Sequence, residues 1–112
     1  MIKILVERDK NGQVKRVLIK GHAYYDEPGK DIVCAAVSGI THGMVNAVEK
    51  LTGIQIHEDD VRPGKLDCQI PGHVTDVETL SRIHLLLEAM VMSLEDVADE
   101  APDFVKIIEK RI

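Results

Sequence analysis

A chain of 112 residues with 19 Asp plus Glu against 14 Lys plus Arg carries a net charge of -5, and one Phe, two Tyr and no Trp leave it an aliphatic core. That length fits a single domain spanning 1–112, with one core and no room for a second. The scattered basic residues form no footprint for phosphates, so direct nucleic-acid binding is not expected, whereas an acidic surface suits a basic peptide or protein.

Ile2, Ile4 and Val6 share one face of a strand over 2–6, and a second β-rich run covers 14–20 after Asn11-Gly12, a dipeptide favoured in tight hairpin turns. The next stretch, to Lys30, contains Pro28 and Gly29 and reads as a loop longer than most connections, hence a functional candidate. Asp31 is a good N-cap, and Val33, Val37, Ile40, Met44, Ala47 and Leu51 recur at helical spacing up to Gly53, a C-cap glycine, which predicts a helix over 31–52. Ile54 and Ile56, then Leu66, Cys68 and Ile70, alternate with polar residues on either side of a turn around Arg62-Pro63-Gly64, which predicts a second hairpin. Thr75-Asp76-Val77-Glu78 matches a capping box, and Val77, Leu80, Ile83, Leu87, Val91, Leu94 and Ala98 carry a helical stripe towards Glu100. A last strand is expected over 104–111.

The order ββαββαβ predicts an α+β two-layer sandwich, two long helices on a mainly antiparallel five-stranded sheet. The helices carry more apolar surface than such a sheet covers, so a homodimer is expected. No apolar run approaches the roughly 20 residues that span a bilayer, and the N-terminus lacks a signal-peptide pattern. No membrane contact is therefore expected, and the cytoplasm is the expected location. Cys34 and Cys68 fit a reducing compartment as free thiols.

The densest chemistry lies in 21–38. With Asp31 as cap, Cys34 falls in the first helical turn, where unsatisfied amides and the positive end of the helix dipole favour a thiolate. The amides around Val33 and Cys34 would also suit an oxyanion, and His22, at the end of the preceding strand, could serve as base and later as acid. Ser38 lies one turn beyond Cys34 on the same helix face. The residues alone leave other readings open: a small buried cysteine, a solvated histidine, a redox-sensing thiol. Metal binding by Cys34, His22 and His42 is not expected, because no closely spaced ligand pair is present. His57, His73 and His84 read as solvated, and Cys68 as core.

Gly21-His22-Ala23, then Gly29, then Asp31-Ile32-Val33-Cys34-Ala35-Ala36-Val37-Ser38 resembles the signature of the ribosomal-processing cysteine protease family, Prp. The resemblance implies an endopeptidase that removes an N-terminal extension from the large-subunit ribosomal protein numbered twenty-seven, with His22 as base, Cys34 as nucleophile and no cofactor. It also implies a homodimer and a flexible loop between the two residues, here 23–30, which includes Ala23, Tyr24, Tyr25 and Gly29. Cleavage after an aromatic residue is part of what it implies, which makes Tyr24 and Tyr25 candidates to line a pocket. The rival readings are a non-enzymatic module that docks a ribosomal protein and a thiol redox sensor.

Overall fold

The computed structural model of the chain describes residues 1–27, 30–58 and 64–112. Two strands, β1 (Ile2–Arg8) and β2 (Val14–Lys20), lead into α1 (Ile32–Thr52), followed by β3 (Lys65–Gln69), α2 (Val77–Glu100) and β4 (Val105–Arg111). The sheet order is β3-β2-β1-β4: β1 pairs antiparallel with β2, β2 antiparallel with β3, and β1 parallel with β4. The expected five-stranded, mainly antiparallel sheet in the order ββαββαβ is thereby corrected to a four-stranded mixed sheet in the order ββαβαβ.

Two observations overturn the earlier expectation. Residues 54–57 form no strand; beside β3 the segment makes an isolated bridge between His57 and Cys68, and the Gln69 amide donates to the Ile56 carbonyl at 2.8 Å and the Glu58 amide to the Asp67 carbonyl at 3.2 Å. Among the described residues too few lie alongside β3 to sustain a repeating ladder, and the remainder of that expected hairpin, 59–63, lies outside them. The last strand enters beside the start of β1, with the Ile2 amide donating to the Phe104 carbonyl at 2.8 Å, because α2 carries the chain back along the sheet first. A helical crossover of this kind makes a parallel pair, where a tight turn would make an antiparallel one.

Strand alternation puts Ile2, Ile4 and Val6, Val14, Val17 and Ile19, Leu66 and Cys68, and Val105 on the face that both helices cover. α1 contributes Val33, Val37, Thr41, Val45 and Val48, and α2 contributes Ile83, Leu87, Met90, Val91 and Leu94. The buried stripe of α1 therefore turns away from the expected one: Ile40 and Met44 flank it, Leu51 is exposed, and Thr41 is buried because its hydroxyl donates to the Val37 carbonyl at 2.9 Å. Against the expectation that no apolar run approaches a membrane span, α1 is long and apolar enough to pass for one; its apolar stripe is part of the core. The cap of α2 is Asp76, one residue later than the capping-box reading, and it accepts from the Thr79 amide at 3.0 Å. His84 is half-buried, its Nδ1 3.1 Å from the Val14 carbonyl, and so tethers α2 to β2 instead of facing solvent.

The opposite face of the sheet is charged and cross-linked. Arg16 on β2 donates to both carboxylate oxygens of Asp67 on β3, at 2.8 and 2.7 Å, and to Glu7 on β1 at 3.1 Å. That pairing holds the largely buried Asp67 carboxyl below the usual carboxylate range. On the helix side, Arg8 at the end of β1 reaches Glu88 on α2 and Glu109 on β4 and so ties sheet to helix. Leu87 is fully buried where α2 meets the sheet. Leu87→Ala is expected to lower unfolding free energy by about 2–5 kcal/mol in urea denaturation, with no change in far-ultraviolet circular dichroism at rest.

Candidate active site

Asp31 caps α1 with extended backbone angles, φ -78 and ψ 100. Its two carboxylate oxygens have different tasks: Oδ1 accepts from the Cys34 amide at 2.9 Å, and Oδ2 accepts from the Tyr25 amide at 3.0 Å. The bond from the Cys34 amide, more than that from Tyr25, holds the Asp31 carboxyl below its ordinary range. The helix start and the preceding loop are thus joined through one side chain. Cys34, half-buried in the first turn, receives a hydrogen bond at Sγ from the Ala23 amide, 3.3 Å away, and Ala23 itself is buried.

His22 follows β2 by two residues and is exposed. Its ring and the Cys34 thiol line the same cleft, of about 420 Å³, with Val37, Ser38, Thr41 and His42 on the α1 side and Ile2, Ile19 and Leu66 from the sheet. A second hollow continues from it past Tyr24, Asp26 and Asp31. Among the described residues no hydrogen bond joins the imidazole to Sγ; the ring centroid lies 5.9 Å from that of Tyr24, and the ring packs over Gly64. Tyr24 adopts a positive φ of 57, which turns the chain between His22 and the cap.

The residues singled out in the sequence are placed unequally. His22, Cys34, Ser38 and Tyr24 share the cleft and its extension. Tyr25 points elsewhere, its ring edge-on to Phe104 at 5.2 Å in a groove between the starts of α1 and the end of α2. Gly29 lies outside the described residues. Val33 is buried, and its amide, like that of Ile32, belongs to the first turn and lacks an intrahelical partner, whereas the Cys34 amide is committed to Asp31. Sequence reasoning missed Gly64, which it took only for a turn residue, and the donor role of the Ala23 amide. A glycine after Arg62-Pro63 signals a turn but says nothing of the ring packed against it.

Of the two free thiols, only Cys34 reaches a cleft. Cys68 is fully buried among Val6, Val17 and Ile56 in the core, and burial first, then the neighbouring Asp67 charge, pushes its thiol up to about 12. Among the described residues no group of three His, Cys, Asp or Glu side chains could hold a metal ion.

A half-buried thiol in the first turn of a helix, where the leading amides lack intrahelical partners, and a histidine on the same cleft are the parts of a thiol-dependent hydrolase. The family model for cysteine protease Prp matches residues 1–106. The ribosomal processing cysteine protease Prp of Bacillus subtilis is 32% identical over 111 residues, covering 96% of either chain, and that of Mycoplasma pneumoniae is 31% identical, covering 99% of this chain and 97% of its own. A crystal structure of a Streptococcus mutans protein superposes with a TM-score of 0.82 at 31% identity, covering 100% of this chain and 96% of that one. The Staphylococcus aureus ribosomal processing protease Prp, in complex with a covalently linked product peptide, superposes with a TM-score of 0.79 at 27% identity, covering 98% of this chain and 100% of that one. The chain belongs to the Prp family of cysteine proteases.

Because the folded Asp31 carboxyl is held below its ordinary range, its contribution to stability is fully present above the unfolded-state value of about 4 and is lost as pH falls through the lowered one. Asp31→Ala is expected to lower the thermal midpoint at neutral pH, and the gap between variant and wild type should close as both are acidified. Melting curves across that pH range check this directly.

Proposed function

We propose that this chain is the endopeptidase that removes the N-terminal extension of the large-subunit ribosomal protein numbered twenty-seven, with Cys34 as nucleophile and His22 as its acid–base partner. The single observation that carries the reading is the thiol of Cys34 in the first turn of α1, facing a cleft whose wall includes His22. The names of the Bacillus and Staphylococcus relatives, and the covalently linked product peptide in the latter, support the substrate class.

In this mechanism the Cys34 thiolate attacks the scissile carbonyl, forming the S–C bond and a tetrahedral oxyanion. Since Asp31 holds the Cys34 amide, the donors free for the oxyanion are the amides of Ile32 and Val33. His22 donates its proton to the departing amine as the C–N bond breaks, then activates water to hydrolyse the thioester and regenerate the thiol. The pair completes as the peptide enters, with Tyr24 and Ser38 bordering the path. No cofactor takes part. The sealed position of Cys68 leaves Cys34 without an accessible partner for a disulfide, which disfavours redox sensing.

Incubation with the extended ribosomal protein is expected to yield the shortened form. Cys34→Ala should abolish cleavage, at least ~1,000-fold, and His22→Ala should reduce it by about 100- to 10,000-fold. Cleavage that survives Cys34→Ala would sink the assignment.

The enzyme is further proposed to act in the cytoplasm as a homodimer. Leu51 and Leu85, 65% and 71% exposed, form with half-buried Leu86 an apolar surface on the helix layer, and Gly39 and Gly43 leave open space along α1. A mass near 25 kDa in solution, twice the 12.4 kDa of the chain, is the expected result of light scattering at micromolar protein; a mass of one chain would refute the dimer.

A further inference from the structure

His22 is an exposed side chain at the end of a strand, and such a histidine samples several rotamers unless something seats it. Gly64 stands against its ring. A Cβ built on Gly64 would lie 2.6 Å from His22 Nε2, 3.1 Å from Cε1 and 3.3 Å from Cδ2. The same glycine also holds the backbone next to the histidine, since its carbonyl accepts from the Gly21 amide at 2.8 Å. Gly21, with φ +96, has its own close neighbour, because a Cβ there would strike the Met1 carbonyl. The ends of three strands are thus packed glycine to backbone, with no side chain interposed, and the imidazole rests on that surface.

We infer that Gly64 is a positioning residue for His22: by lacking a side chain it opens the seat from which the imidazole serves Cys34, and through its carbonyl it fixes the chain that delivers the imidazole. The inference rests on the proposed pairing of His22 with Cys34. An effective acid–base partner must be held within a fraction of an ångström and a narrow angle of its productive place. Displacing the ring from the seat is cheap for the fold, because the atoms a Cβ would meet are the far end of an exposed side chain. It is costly for chemistry for the same reason.

A turn glycine with φ of 74 would suffer from substitution for conformational reasons alone, and the chain supplies its own control. Gly53, the cap of α1, has nearly the same φ of 75, but a Cβ there meets nothing within 4 Å. Gly64→Ala and Gly53→Ala therefore impose similar backbone strain, and only the first reaches the histidine.

The test compares wild type, His22→Ala, Gly64→Ala and Gly53→Ala by the rate of Cys34 alkylation with iodoacetamide as a function of pH, and by kcat and KM on the extended substrate. Loss of the His22 pairing should move the alkylation curve of His22→Ala to higher pH. Gly64→Ala should move it in the same direction and lower kcat by about 10- to 100-fold with KM little altered, while Gly53→Ala leaves the curve in place. A Gly64→Ala curve that coincides with wild type while that of His22→Ala shifts overturns the seat and leaves the catalytic pair standing. An equal shift in Gly53→Ala also overturns it, by showing that strain and not contact is responsible. If His22→Ala alters neither alkylation nor cleavage, the pairing falls, and the role of Gly64 falls with it. Should Gly64→Ala fail to fold, a nuclear Overhauser contact between the Gly64 α-protons and the His22 ring protons in the wild type is the deciding measurement; its absence refutes the seat.

Discussion

One carboxylate carries the geometry of the site. Asp31 divides its oxygens between the first turn of α1 and the loop that precedes it, so the thiol and the residues that border it are referred to a common origin. The arrangement also answers an electrostatic problem. A carboxylate and a thiolate in one helix turn repel each other, yet both are drawn to the same unsatisfied amides and the same end of the dipole. Asp31 takes the Cys34 amide and the sulfur takes that of Ala23, so the two groups draw on different donors. The amides of Ile32 and Val33 are left over, and they are the ones at the mouth of the helix.

The sheet supplies the other half. β1 lies between an antiparallel neighbour and a parallel one, and Lys3 near its start pairs with Lys20 at the end of β2, which pairs in turn with Lys65 at the start of β3. Strand ends are where side chains escape the ladder while the backbone remains held by it. His22 leaves β2 at that point, and its glycine neighbours come from the adjoining strand ends. A rigid frame thus presents a histidine whose ring is still exposed, a combination suited to a group that must shuttle a proton between partners.

Much of this was legible from the chain. Asp31 and Gly53 marked both ends of α1, because capping chemistry is local and depends on one or two residues. The run from Gly21 to Ser38 pointed to the Prp family because so many consecutive positions matched. What failed to show was non-local. Strand alternation in 104–111 reveals a strand but not its partner, so the parallel pairing with β1 was out of reach, and with it the mixed sheet. Ile54 and Ile56 alternate as a strand should, yet pattern cannot tell whether enough backbone runs alongside β3 to make a ladder. An apolar stripe takes in Ile40 and leaves out Thr41, a polar type, while a bond to its own helix lets Thr41 be buried. The contact of Gly64 with His22 joins residues far apart in sequence and leaves no local trace.

The burial of Cys68 has a practical side. With one thiol at a cleft and the other sealed under the sheet, the native chain presents a single site to an aqueous thiol reagent, and the second becomes available only on unfolding. The stoichiometry of labelling is therefore a count of folded centres in any sample, and the arrival of the second equivalent is a clock for global opening of the core.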